Sequence, residues 1–116
     1  MELVKISIRG TEYPACFSLR TAMNAAEKFG SLDALFEERP LHKAAEANLW
    51  LLDQCLAAGK LYAELEGEKT PDPPPIDSLF DSLSISDVGR AFALIMDAAQ
   101  KTTVELQSDS KNAAAT

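Results

Sequence analysis

Polar and apolar residues alternate at the start of the chain, and further on the apolar ones recur every three or four positions. In "LVKISIRGTEYPACF", Leu3, Lys5, Ser7 and Arg9 alternate with Val4, Ile6 and Ile8, which predicts a strand with one buried face. Gly10 and Thr11 interrupt it, and Tyr13 to Phe17 resumes as an extended run, so a β-hairpin over residues 1–17 is expected. Pro14 has no amide hydrogen to give a ladder and suits a short or edge strand. From Ser18 the period changes. Leu19, Ala22, Met23, Ala26 and Phe29 recur at helical spacing, with Ser18 as N-cap and Gly30 as the left-handed C-terminal stop. Ser31 then caps a second, short helix with Leu32, Leu35 and Phe36 turned inward, and Pro40 closes it.

The longest helical pattern runs from Leu41 to about Leu65, with Ala45, Leu49, Leu52, Leu56 and Ala63 along one face and Trp50, Leu51 and Tyr62 widening it. An apolar surface wider than one stripe marks a helix that is central in a bundle or touches a partner. Gly59 predicts a kink or an early end, since glycine costs a helix about 1 kcal/mol relative to alanine. A proline-rich connector follows at 66–75, "EGEKTPDPPP", stiff and extended. Beyond it Ile76, Leu79, Phe80 and Leu83 form a short stripe, and Ser84 with Asp87 make a capping box. The last helix, from about Asp87 to Leu106, carries Val88, Phe92, Ile95, Met96, Ala99, Thr103 and Leu106.

The fold class expected is mainly α with a small N-terminal β-hairpin (α+β). About five helices should pack on the hairpin as a single domain over 1–107, with a flexible, disordered tail at 108–116.

Composition narrows the function. At 116 residues, 47% hydrophobic and 25% charged, the chain is of ordinary globular make-up. Its net charge of −7 repels phosphate backbones and anionic lipid, so neither nucleic acid nor a membrane is expected as a partner. No apolar run approaches the roughly 20 residues of a membrane span, and a cytosolic location is expected. Cys16 and Cys55 are read as two buried free thiols in preference to a disulfide.

Catalytic chemistry is hard to find. His42 is the single histidine and has no second histidine or cysteine at metal-ligand spacing. The glycines are scattered singly, without a phosphate-binding loop. Carboxylates such as Glu37, Glu38, Glu64, Glu66 and Glu68 fall at helix ends or in loops, where they are ordinarily solvated. Arg20, Glu27 and Lys28 suit charge contacts along a helix surface. No cofactor, metal site or enzymatic activity is expected; His42 buried beside Cys16 or Cys55 would reverse that, and an exposed His42 would not.

The stretch "ISIRGTEYPACFSLRTAMNAAEKFGSLDAL" resembles the start of the tail assembly chaperones of long-tailed bacteriophages and prophages. The resemblance lies in Gly10, Thr11 and Tyr13, then Phe17, Ser18, Leu19 and Arg20, then Lys28, Phe29, Gly30 and Ser31. It covers about the first third of the chain; the triple proline and the Trp50 patch match no family pattern. The resemblance implies a non-enzymatic chaperone in the cytoplasm of a bacterial host that binds the tape measure protein, recruits tail tube subunits and is absent from the mature virion. It also implies a longer frameshifted product, with which Lys111 and Asn112 are compatible. Candidate partner-binding residues are Trp50, Leu51, Tyr62, Phe36 and Phe80, each of which a packed core would also claim, and self-association to a homo-oligomer through the chain's own apolar surface is a further expectation. The alternative is a small acidic regulatory adaptor or inhibitor masking a basic protein.

Overall fold

A computed structural model describes residues 3–101. Two antiparallel strands, β1 (Val4–Ile8) and β2 (Thr11–Ala15), are followed by α1 (Leu19–Phe29), a single 3-10 turn at Asp33–Phe36, and α2 (Leu41–Leu65). After the connector come α3 (Ile76–Ser82) and α4 (Ile85–Lys101). The chain is thus mainly helical on a small hairpin, with four α-helices and one 3-10 turn where about five helices are expected. Thr103, Leu106, the Lys111–Asn112 pair and the tail at 108–116 lie outside the described residues.

Strand register pairs Val4 with Ala15, Ile6 with Tyr13 and Ile8 with Thr11. The hairpin therefore turns on Arg9 and Gly10, both at positive φ (53° and 85°), the two-residue turn whose twist matches the strands it joins. Thr11 already belongs to β2, which starts earlier and ends earlier than the sequence pattern suggests. Alternation in β1 holds, for Ile6 and Ile8 are buried.

An isolated hairpin is marginal in water, and this one is covered twice: β2 runs against α2, and β1 meets α4. Where β2 ends, the Cys16 amide donates to the Cys55 carbonyl at 3.2 Å, which ties the strand end to the middle of α2. The early end expected at Gly59 does not occur. The helix is unbroken, and a Cβ there would lie 2.2 Å from the Pro14 carbonyl oxygen, so the missing side chain is what lets α2 touch the strand. Helix α2 closes on Gly67 at positive φ, with the Glu68 amide donating to the Ala63 carbonyl at 3.0 Å, the paired stop that glycine permits.

The expected caps are present. Ser18 Oγ accepts from the Thr21 amide at 3.1 Å, Gly30 is left-handed, and Ser31 Oγ accepts from the Ala34 amide at 3.2 Å. Ser84 and Asp87 bond each other's amides reciprocally, at 3.0 and 3.1 Å.

The inward face of α1 differs from the expected one. Thr21 and Ala25 are buried, whereas Leu19 and Met23 are exposed. Two stripes overlap on this helix, and the one with small residues wins because it allows α1 to approach α2 closely, where Asn24 Nδ2 donates to Gln54 Oε1 at 2.9 Å. The 3-10 turn buries Leu35 but leaves Leu32 and Phe36 exposed. In α4 the buried positions are Ala91, Ile95 and Ala98, with Val88, Phe92 and Met96 half-buried and Ala99 exposed. One core joins Ile6, Ile8, Leu49, Leu52, Leu56, Leu79, Ala91 and Ile95, so it draws side chains from both sides of the connector. Lys60 holds that connector to α2 by contacting both Glu64 and Asp72.

Candidate functional site

Pro40 sets the start of α2 and the capping box sets the start of α4, and these two helix starts face each other with Phe80 of α3 between them. The result is a mainly apolar groove of about 420 Å³ lined by Leu41, Ala44, Ala45, Leu49, Phe80, Leu83, Ile85 and Val88, together with Asn48, Ser84 and Gly89. Leu83 and Val88 flank the Ser84 cap at the positions of a hydrophobic staple, which gives the groove its floor at that end. Its lips are apolar and unprotected: Leu41 is 66% exposed and Ile85 74%.

A second hollow lies across Phe80. Trp50, Phe29, Ile76 and Phe80 line it together with Lys28, Arg39, Lys43, Glu38, Glu46 and Asp77. Trp50 meets Phe29 edge to face, with ring centres 5.6 Å apart. Lys28 Nζ lies 5.2 Å from the Trp50 ring centre and the Arg39 guanidinium 5.1 Å from that of Phe29, distances at which a ring's negative face attracts a cation. Arg39 also donates to the Ala34, Leu35 and Glu37 carbonyls, closing the 3-10 turn. Lys28 is thus engaged with aromatic rings, and the surface contact expected among Arg20, Glu27 and Lys28 does not form.

Three of the five candidate contact residues come together. Trp50 is half-buried in the charged hollow, Phe80 stands between the two hollows, and Phe36 lies on a recess that shares Ala44 and Asn48 with the apolar groove. Leu51, only 2% exposed, belongs to the core; this corrects the expectation of a contact there, because α2 is packed on the side that Leu51 occupies. Tyr62 is half-buried and stands about 18 Å along the helix from Trp50 at 1.5 Å per residue, away from both hollows. Leu41 and Ile85, the most exposed large apolar residues of the groove, escape sequence reasoning because each begins a helix and has no periodic neighbour before it. Their signal is position: a large apolar residue directly after a proline or a serine cap.

As to chemistry, His42 is exposed on the first turn of α2, whereas Cys16 and Cys55 are buried free thiols. Burial, and secondarily the neighbouring Cys16, pushes the Cys55 thiol up to about 12; burial raises that of Cys16 as well. Both are held as neutral thiols, the unreactive form. Among the described residues no cluster of three or more His, Cys, Asp or Glu side chains could hold a metal ion, and no helix is long and apolar enough to cross a membrane. No protein-family profile, curated protein or solved structure matches the chain.

Proposed function

We propose that this protein is a tail assembly chaperone of a long-tailed bacteriophage or prophage. In this reading it holds an apolar helical segment of the tape measure protein in the groove between α2 and the α3–α4 corner, and recruits tail tube subunits to the loaded client. It works in the cytoplasm of the bacterial host and is absent from the finished particle. The observation that carries the reading is the groove itself, a set of apolar side chains left open at its lips on a chain of net charge −7. Large exposed apolar patches ringed by polar surface belong to interaction sites, and a net charge far from zero keeps a loaded complex soluble. The capped and broken helix after the hairpin, on which the resemblance rests, supports the same reading. Burial of Leu41 and Ile85 under a client would contribute roughly 2–4 kcal/mol to binding.

Co-expression of the full chain with overlapping fragments of the tape measure protein from the same genome should yield a soluble complex with at least one fragment. Leu41→Asp with Ile85→Asp should abolish that complex while the variant stays folded by circular dichroism. Failure with every fragment, or recovery instead of a strongly basic protein unrelated to the tail, would overturn the proposal in favour of an acidic adaptor.

A further inference from the structure

The α1 helix has a second face that the groove does not use. Leu19 is 77% exposed and Met23 57%, and with half-buried Ala26 they follow the four-then-three spacing of a coiled-coil seam. Arg20 and Glu27, both exposed, each stand one position after a seam residue, on the same row and seven residues apart. That row is where coiled-coil helices exchange ion pairs and so fix their partner and direction. Among the described residues neither Arg20 nor Glu27 takes part in an ion pair.

We infer that this face of α1 is a two-fold contact between two copies of the chain, with the two α1 helices antiparallel. Two-fold contacts require one patch to complement itself. An antiparallel pairing sets Arg20 opposite the partner's Glu27 and, by symmetry, Glu27 opposite the partner's Arg20, while Met23 packs against the partner's Ala26. A parallel pairing would instead level Arg20 with the partner's Arg20. The surrounding surface extends the contact. Phe29 meets Trp50 and Asn24 meets Gln54, so α1 runs antiparallel to α2 and its Leu19 end lies towards the exposed Leu61. The two-fold brings this apolar end against the other copy's end beyond Gly30, where the partner's Leu32 is exposed.

Sedimentation equilibrium of the full chain tests the inference. Wild type should show a monomer–dimer equilibrium. Arg20→Glu and Glu27→Arg, each of which sets like charges face to face twice, should each weaken the dimer by about tenfold. The double variant, with both reversals, should recover most of the wild-type affinity, and Met23→Glu should leave only monomer with an unchanged circular dichroism spectrum. A wild type that stays monomeric at the highest clear concentration would overturn the inference. So would a double variant no tighter than the single ones. No residue of α1 lines the groove, so the outcome is independent of whether the tape measure protein binds.

Discussion

A methyl group at position 59 would have nowhere to go. Its carbon would sit 2.2 Å from the Pro14 carbonyl oxygen and 2.5 Å from the Ala15 Cα, and neither is the end of a flexible side chain. Alanine is the better helix former by about 1 kcal/mol, so on an exposed helix the exchange would stabilise. Here it must push α2 off β2 and strain the bond between the Cys16 amide and the Cys55 carbonyl. Gly59→Ala should therefore destabilise the fold by about 2–3 kcal/mol, the upper range for an overpacked site. Urea unfolding followed by circular dichroism measures it, and an unchanged or raised midpoint would mean that helix and strand do not approach as closely as described. The same packing explains the two neutral thiols, which sit where the strand end and the helix are drawn together.

At the scale of elements, what was legible in the sequence was local. Ser18, Gly30 and the Ser84–Asp87 box act on amides within a few residues, so composition at fixed offsets is enough to find them, and the alternation in β1 needs only the strand itself. The inward face of α1 was not legible: the stripe of Leu19, Ala22, Met23, Ala26 and Phe29 competes with one centred on Thr21 and Ala25, and only the presence of α2 decides between them. Leu51 was misread for a related reason, since a helix apolar on several sides does not say which side is covered. The groove was illegible because its lips come from two helix starts some forty residues apart in sequence. The capping box also carries a prediction. The Ser84 amide, then the Ser84 hydroxyl and Arg90, hold the Asp87 carboxyl below its ordinary value near 3.8. A lowered folded value means that this stabilisation is complete above that ordinary value and is lost as pH falls through the folded one. Ser84→Ala should cost about 1 kcal/mol at neutral pH. Asp87→Asn should flatten the loss of stability below pH about 4 relative to wild type, as read from urea midpoints along a series from neutral to acid. An acid limb identical in both proteins would remove the box from the account of α4.

The whole molecule is divided in sequence by the proline-rich connector but shares one core across it. Leu79, fully buried in α3, clusters with Leu49 and Leu52 of α2 and Ile6 of the hairpin, and the Lys60 contact with Asp72 ties down the connector between them. The chain's single tryptophan, Trp50, lies before the connector and reports on that side, whereas far-ultraviolet circular dichroism sums the helices of both sides. Leu79→Ala removes a side chain after the connector and should cost about 2–5 kcal/mol, the range for a truncated core leucine. If the core is continuous, that loss must be felt on both sides at once. Trp50 fluorescence and far-ultraviolet circular dichroism should then give coincident urea transitions in wild type and variant, both moved to lower urea by the same amount. Phe80→Ala, one residue along but exposed, should move neither by a comparable amount. A Trp50 transition that stays in place while the helical signal shifts would show that α3 and α4 unfold apart from α2. The groove, whose walls come from both sides, would then open without unfolding the hairpin.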